Sequence, residues 1–364
     1  MRIAYLGQMA DIATENGISK KLATQAQAWA RAGHEVHYFA LAPTTQVWRG
    51  LTMPATVLPR GNPLRRAFRS RELSREIVRW QPEVIYFRYA HHSPGLSRLF
   101  RTHPAIAEIN SNDRTEYSLT LSLGRRVYHR LTRSRILRTV SGFVAVTNEL
   151  ATQFGEFGRP SLAIGNSIAL ADHPVFPSAA PARVKIAFLG TTGAPWHGLD
   201  RIAELAALLP SVDFELIGIT AEAWAALVSA PPSRNIRLHG PLPRTSYTQL
   251  LAECVAALGS LALYRNQMEE ACSLKVRECL AGGLPVIGAY RDTDIPDDAD
   301  YFLHLPNNAE PLAPWRDRIA AFINAWRGRR VPRSAIAHLD VSVKEAQRLA
   351  FMEKIIAEFR SHHG

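Results

Sequence analysis

The residues best placed to do chemistry lie in the segment NQMEEACSLKVRECLAGGLPVIGAY, residues 266–290. Ser273 is a favoured helix N-cap, so the pattern predicts a helix that runs from Leu274 to about Ala281. The amide groups and the dipole at the start of a helix attract phosphate. Lys275, in the first turn, has the wrong sign for that dipole. A cation there is better explained if a polyanion occupies the site.

Two acids frame the same segment. Glu278, in the first turns of the predicted helix, can reach a pair of hydroxyls, such as those of a ribose, beside the phosphate. Glu270 precedes the helix, in a predicted loop that is free to face a substrate. Two Glu residues at this spacing also occur by chance, and a charged helix start is often only solvated. The order of strand, polar loop, capped helix, Gly-Gly turn and strand favours the functional interpretation.

The first half of the chain alternates short apolar runs with helical patterns. Strands separated by helices imply parallel pairing in a doubly wound sheet. Predicted strands cover residues 2–7, 34–42, 82–90, 104–110 and 141–148, and a helix covers 17–33.

A Pro- and Ala-rich stretch, 171–183, predicts a linker, after which the pattern restarts. The run VKIAFLG at 184–190 is similar to MRIAYLG at the N-terminus. We expect an α/β protein of two Rossmann-like, doubly wound parallel-sheet domains that face a cleft, a common place for a ligand. The predicted domains are 1–175 and 183–340, with a C-terminal helix (341–364) packing back on the first. Further predicted elements are helices at 197–209, 222–230, 246–254 and 341–361 and strands at 184–190, 212–218, 235–240 and 255–263.

Composition narrows the class of protein. The 364 residues are 47% hydrophobic, and no apolar run is long enough to span a bilayer. The N-terminus becomes polar too early for a signal peptide, and the three scattered Cys predict neither a disulfide framework nor a metal site. We therefore expect a cytoplasmic protein, with peripheral attachment to the inner face of the membrane as an open alternative.

The net charge of +11 comes largely from two Arg-rich stretches, 60–80 and 124–138. They suit an anionic membrane surface, nucleic acid, or two solvated helix faces. No zinc-finger, helix-turn-helix or RNP pattern is present, so we favour the membrane over nucleic acid. The chain also lacks G-x-G-x-x-G and G-x-x-x-x-G-K-[ST] motifs, which weakens a dehydrogenase or a P-loop NTPase.

The segment EACSLKVRECLAGGLPVIGA resembles the E-x7-E segment of retaining GT-B glycosyltransferases of family 4, and S-x-K-x-x-E is a familiar variant. NGISKKLATQAQAWARAGHEVHYFA is similar to that family's first glycine loop and helix. The order of SGFVAVTNEL, LAIGNSIAL, KIAFLG, HGLDRIAEL and NIRLHGPLPRTSYTQLLAEC follows the family over nearly the whole chain.

This resemblance implies a donor sugar against Glu270, a ribose on Glu278, a diphosphate held near Ser273 and Lys275, and chemistry through an oxocarbenium-like state. It implies no metal and no cofactor beyond a nucleotide-diphosphate sugar as substrate, so the acids of 291–300 are expected to be a solvated loop. Partners would be the nucleotide sugar and a glycan or lipid-linked acceptor. The implied donor-binding residues are Gly17, Gly190, Thr191, His197, Arg265, Ser273, Leu274, Lys275 and Glu278, and the catalytic candidates are Glu270, Asn110 and Glu108.

The chain departs from the family at two phosphate-binding cations. Thr191 stands where an Arg is usual and His197 where a Lys is usual. Lys275, Arg265 or His197 would compensate, or the protein binds its donor weakly or not at all.

The first domain also departs from the family. Asn110 stands near the place of a family His, and it or Glu108 orients the donor or acceptor, unless both only cap a strand end. His91 and His92 are rim candidates.

Three functions follow from the sequence. The first is transfer of a hexose-type sugar to a glycan or lipid-linked acceptor, in synthesis of a cell-surface polysaccharide or glycolipid. The second is a weakly active or inactive nucleotide-sugar or glycan-binding protein of the same fold. The third is a sugar-nucleotide epimerase of the related two-domain fold, against which the E-x7-E context argues.

Overall fold

The computed structural model describes residues 1–8, 12–90, 92–178 and 182–363, without the side chains of 63, 64, 94 and 363. The chain forms two compact units. One comprises Met1–Gly165 together with Val341–Gly364, and the other comprises Asn166–Asp340.

The first unit is built on a seven-stranded parallel sheet of order β3-β2-β1-β4-β5-β6-β7. Its central strands are short apolar runs because both faces of the sheet are covered by helices. The strands are β1 (Arg2–Gln8), β2 (Glu35–Ala42), β3 (Ala55–Pro59), β4 (Val84–Arg88), β5 (Ala105–Ile109), β6 (Gly142–Ala145) and β7 (Ser161–Ala163).

Helices connect these strands. Asn16 starts the first of them through a capping box, in which its side-chain oxygen accepts from the Ser19 backbone amide and the Ser19 hydroxyl accepts from the Asn16 backbone amide. The helices are α1 (Gly17–Arg31), α2 (Pro63–Trp80), α3 (Pro94–Thr102), α4 (Asp113–Thr120), α5 (Leu123–Leu137) and α6 (Asn148–Phe154), with a 3-10 turn at Gly155–Phe157. A further 3-10 turn, Leu170–Asp172, already belongs to the second unit.

The second unit has a six-stranded parallel sheet of order β10-β9-β8-β11-β13-β15 and a separate parallel pair, β12-β14. The strands are β8 (Val184–Leu189), β9 (Val212–Ile217), β10 (Ile236–Gly240), β11 (Ala256–Leu258), β12 (Glu270–Ala271), β13 (Val286–Gly288), β14 (Arg291–Asp292) and β15 (Phe302–His304). The helices are α7 (Leu199–Leu208), α8 (Ala221–Ala225), α9 (Arg244–Ala252), α10 (Leu274–Ala281) and α11 (Arg316–Trp326), with 3-10 turns at Pro195–His197, Leu263–Asn266, Ala313–Trp315 and Arg333–Leu339.

The C-terminal helix, α12 (Val341–His363), packs in the first unit. Its residues Phe351, Met352 and Ile355 join the core that also holds Tyr5 and Trp29. A buried polar contact fixes the same helix, because the Trp29 Nε1 donates to Glu345 over 2.9 Å.

The stretch 171–183 is not a free linker in its described part. The chain crosses between units at Gly165–Asn166, and Phe176 already packs in the second unit, where its amide donates to the Gly282 carbonyl. An apolar side chain inside a Pro-rich run is enough to anchor it. Residues 179–181 lie outside the described part.

Several element boundaries also differ from the sequence prediction. The run 222–230 gives only the short α8, and 255–263 gives only the three-residue β11. The short strands β3, β7 and β15 carry too little periodicity to be found from the sequence. Within the described residues, no helix is both long enough and apolar enough to cross a bilayer.

Candidate functional site

The strongest site candidates of the second unit lie where its sheet changes direction, between β8 and β11. Ligands of open α/β sheets bind at such switch points, outside the carboxyl ends of the strands. β8 is followed by the loop 190–198. A Cβ on Gly190 would lie 2.5 Å from Ile219 Cδ1 and 2.7 Å from the Phe188 ring, and Gly198 has a φ of +72°, so both positions favour glycine.

Helix α10 begins at Leu274, as the sequence predicts, with Ser273 at the N-cap position. The Ser273 backbone is extended, but its side chain makes no capping hydrogen bond, so its predicted role as a side-chain cap is wrong. The first amides of α10 therefore receive no hydroxyl acceptor from Ser273, and they remain suited to an anion.

Lys275 projects from the first turn of α10 onto an aromatic ring. Its Nζ lies 4.3 Å from the centre of the Phe188 ring, a cation–π distance. The Nζ is shut off from solvent and has no hydrogen-bond partner among the described residues. Burial lowers the pKa of Lys275 from its usual 10.5 to about 7. A buried ammonium without an anion is costly and calls for one.

His197 packs against the same ring. The His197 and Phe188 rings meet edge to face at 5.5 Å. Burial, and then the charge of Lys275, hold the pKa of His197 well below its usual value, against a hydrogen bond with the backbone of Thr191. Its Nδ1 is buried and has no hydrogen-bond partner in the part of the chain that the structure describes. Two bases therefore converge on Phe188, while Thr191 is exposed beside them.

Glu278 lies one helical turn beyond Lys275 and is held by α9. The Tyr247 hydroxyl donates to its Oε1 over 2.6 Å, and the Arg244 Nε lies 3.9 Å from the same oxygen. The carboxylate is partly exposed. A carboxylate that is held in place and partly exposed is suited to accept hydrogen bonds from the hydroxyls of a ligand.

Glu270 lies in strand β12 and not in the loop that the sequence predicts. β12 pairs with β14, in the register Glu270–Arg291. The Arg291 Nη2 stands 4.0 Å from the Glu270 Oε1. Backbone pairing makes the position of this acid more rigid than a loop would.

Arg265 is already paired within the chain. Its two terminal nitrogens bind the Asp200 carboxylate at 2.9 and 2.6 Å, and one of them also donates to the Pro195 carbonyl. This bidentate ion pair ties the Leu263–Asn266 turn to α7. The structure therefore gives Arg265 a structural role in place of the predicted compensation for a missing cation.

The prediction of a solvated acidic loop at 291–300 is wrong for its first two acids. Asp292 is buried and binds Arg277 at 2.6 and 2.9 Å, and Asp294 binds the same guanidinium at 3.0 Å. The Cys272 sulfur completes the cluster, 2.8 Å from Arg277 Nη2. The thiol and the two carboxylates lie close enough to share a metal ion, but the guanidinium already satisfies them. No local pattern marks Arg277, because its acidic partners lie 15 and 17 positions away.

In the first unit, Glu108 is fully buried on β5. Its Oε1 lies 3.0 Å from the Lys21 Nζ and accepts from the Tyr86 hydroxyl, also at 3.0 Å. Burial acts to raise the pKa of Glu108, but Lys21, Arg348 and Arg88 together hold it below its usual value. Its predicted contact with a substrate needs revision, because a fully enclosed, ionised carboxylate reaches no ligand.

Asn110 extends this network toward solvent. Its Oδ1 accepts from the Lys21 Nζ at 2.9 Å, and its Nδ2 donates to the Glu108 Oε2 at 3.3 Å. Gly17, at the first position of α1, is exposed. The carboxyl end of β5 therefore presents a fixed Asn110, with Glu108 and Lys21 as its positioning residues. His91 lies outside the described residues.

The predicted residues thus fall into two groups. In the second unit Lys275 and His197 contact the Phe188 ring, and Gly190 and Thr191 follow Phe188 along the chain. Ser273 and Leu274 open α10, which also carries Lys275 and Glu278. In the first unit Glu108 and Asn110 meet. Sequence reasoning missed Phe188, Tyr247 and Lys21, of which only Lys21 carries a signal, as a lysine on the mostly apolar side of α1.

A family model matches part of the first unit. Residues 16–164 match the model of the Glycosyl transferase 4-like domain. A comparison with curated protein sequences finds no match.

Solved structures match the whole chain at low identity. HepE from Anabaena, in complex with UDP and glucose, is 15% identical with a TM-score of 0.68, over 97% of this chain and 100% of that one. Sucrose-phosphate synthase from Thermosynechococcus elongatus is 15% identical with a TM-score of 0.67, over 100% and 98%. A protein from Listeria monocytogenes described as a UDP-N-acetylglucosamine 2-epimerase is 13% identical with a TM-score of 0.56, over 98% of each chain. The chain therefore has the GT-B fold.

Proposed function

We propose that this protein is a glycosyltransferase that binds a nucleotide-diphosphate sugar at the switch point of its second unit. The observation that carries the proposal is Lys275, whose buried ammonium group has no anion among the described residues and whose pKa falls to about 7. A diphosphate at the start of α10 would supply that anion and meet the helix dipole as well.

The neighbouring residues fit the rest of such a donor. Glu278, oriented by Tyr247, would accept hydrogen bonds from the ribose hydroxyls. Glu270, on the rigid β12–β14 pair, would face the sugar. HepE, which shares the fold, is solved with UDP and glucose, so UDP-glucose is the first donor to test.

The proposed reaction retains the configuration of the sugar. The bond between the sugar and the diphosphate breaks, charge develops on the leaving phosphate oxygen, and the sugar passes through an oxocarbenium-like state. The acceptor hydroxyl then adds on the same face and gives its proton to the leaving diphosphate. Lys275 and the amides of α10 would stabilise the leaving charge, a role that the proposal gives to protein groups and not to a metal. The acceptor, a glycan or lipid-linked sugar, is assigned to the first unit near Asn110.

A second candidate function has its own support. Arg265 is committed to Asp200, and Thr191 and His197 bring no permanent charge, so phosphate binding depends on fewer cations than the family pattern implies. A protein of this kind would bind the donor and transfer slowly or not at all.

The test is titration calorimetry with UDP-, GDP- and dTDP-glucose, followed by assays of nucleoside diphosphate release and of the anomer formed. Glu270→Ala is expected to abolish release and Glu278→Ala to weaken binding. Glu269→Ala, an adjacent acid that bonds Asn307, is the matched control and is expected to change neither.

The three candidate functions give different results in these assays. Binding without release in any acceptor mixture supports the second candidate. Isomerised donor without acceptor supports an epimerase. The proposal is refuted if none of the three donors binds to the wild type and if Glu270→Ala and Glu278→Ala change neither binding nor release.

A further inference from the structure

Helix α5 (Leu123–Leu137) exposes aliphatic side chains along its first three turns. Leu123, Val127 and Leu131 follow each other at intervals of four residues, so they form one stripe, and they are 74%, 49% and 70% exposed. A surface helix normally turns such a stripe toward the core.

The inward face of the same helix is polar in its middle, and only its last turn places aliphatic side chains, Ile136 and Leu137, in the core. His129 and Arg133 are buried, and each places a nitrogen 2.8 Å from the Asp113 Oδ2. Burying charges while exposing aliphatic side chains is unfavourable in water alone. The outward stripe therefore calls for an apolar partner.

The positive charge around the stripe indicates that the partner is anionic. α5 contains no acid, and Arg125, Arg126 and Arg130 flank the stripe in exposed positions. Arg66 of α2 lies nearby: burial and the adjacent cations Arg60 and Arg125 lower its pKa, and its Nη2 has no partner among the described residues. Cations crowded in this way favour an anionic surface.

A groove of about 1120 Å³ opens where the stripe ends. Arg135 continues the spacing of the stripe into the groove, roughly 18 Å along the helix from Leu123 at 1.5 Å per residue. The buried apolar residues Phe100, Val140 and Ile355 form its floor, and Glu358 is the one acid among its described lining residues. The arginines that line it are Arg101, Arg135, Arg138 and Arg159. A basic groove with an apolar floor suits a phosphate that carries a hydrocarbon chain.

We propose that α5 is an interfacial helix that docks the first unit on an anionic phospholipid bilayer. The stripe enters the acyl boundary, the flanking arginines meet headgroups, and the groove takes a lipid phosphate. A symmetric dimer through this face would oppose arginine to arginine with no acid on the helix. Nucleic acid would leave the aliphatic stripe exposed. The inference names a partner for the proposed glycosyltransferase, but it depends on different residues.

The test is flotation of the full chain with vesicles of phosphatidylcholine, alone or with about one-third phosphatidylglycerol. We expect binding to the acidic vesicles to be at least about tenfold stronger, and to weaken when salt rises from about 0.05 to about 0.5 M. Leu123→Ser with Leu131→Ser is expected to reduce it about tenfold or more. Arg126→Glu with Arg130→Glu is expected to do the same.

Matched controls come from the second unit. Leu227→Ser and Arg234→Glu change exposed residues of the same types and should leave vesicle binding intact. Thermal unfolding and UDP-glucose binding, measured on every variant, are expected to stay at wild-type values, which separates this proposal from the one on the donor site.

Three results would overturn the inference. The first is equal binding to neutral and acidic vesicles. The second is unchanged binding of both double variants. The third is a dimer, seen by light scattering, that the leucine variant dissociates while no vesicle is bound. That last result would show that α5 is an interface between copies of the chain.

Discussion

Replacing Lys275 by Met separates stability from donor binding. Met keeps the length of the side chain and its contact with Phe188 but removes the charge. In the wild type the pKa of Lys275 falls from 10.5 to about 7, because burial penalises the ammonium form. About half of the molecules therefore carry the charge at pH 7 in the absence of a ligand.

The size of the effect on stability follows from this shift. The unfolded chain binds more protons than the folded one between pH 7 and 10.5, so stability rises with pH across that window. At pH 7 the penalty amounts to about 4 kcal/mol, and it almost vanishes near pH 10.5. Lys275→Met should therefore raise the free energy of unfolding at pH 7 by up to about that amount, as measured by urea denaturation. The gain should shrink as the pH rises.

Lys275→Met, which should stabilise the free protein, should weaken donor binding. A diphosphate that restores the ordinary pKa of Lys275 takes up about half a proton at pH 7 and about nine-tenths at pH 8. Affinity should fall about fiftyfold from pH 7 to pH 9. Calorimetry with UDP-glucose in buffers of different ionisation heat measures the uptake directly. Lys275→Met should abolish both the uptake and the steep pH dependence, while the exposed control Lys354→Met should change neither.

The reasoning is refuted if the wild type takes up no proton, or if Lys275→Met leaves stability and affinity unchanged. Uptake that persists in the variant would point to His197, whose lowered pKa responds to the same ligand. Proton uptake that occurs in the wild type but not in Lys275→Met would show that Lys275 takes up the proton.

Three further predictions concern the fixed charges. Tyr247→Phe removes the 2.6 Å hydrogen bond to Glu278 and should weaken UDP-glucose binding several-fold without lowering the melting temperature. A lower melting temperature with unchanged UDP-glucose affinity would instead show that the contact is purely structural. Glu108→Gln should cost about 3–5 kcal/mol in urea denaturation at pH 7, since it leaves buried Lys21 without its anion. Because the pKa of Glu108 is lowered by folding, its contribution is present at neutral pH and lost as pH falls below 4.5, so the variant should lack that part of the acid destabilisation. Arg277→Met should cost a similar amount by stranding buried carboxylates, and Arg277→Lys should recover only part of it, because a lysine cannot bind two oxygens in the same fork; a neutral Arg277→Met would contradict this account.

Local patterns were enough for much of the fold. The runs RIAYLG and VKIAFLG predicted β1 and β8, because a strand buried on both faces is a short apolar run, and Leu274–Ala281 was predicted as α10. The same patterns failed for Glu270, which belongs to a two-residue strand. A pairing of two residues with a segment some twenty positions away leaves no periodicity in the sequence.

The sequence by itself determined the two parallel-sheet halves, the helix that opens at Leu274 and the residue types near it. Only the tertiary structure decided the state of each charge. Glu108 and Arg265 have ordinary sequence surroundings, yet one is enclosed by cations and the other is held by Asp200. Lys275 contacts the Phe188 ring but has no hydrogen-bond partner among the described residues. Solvation and pairing depend on groups distant along the chain, so no local pattern encodes them.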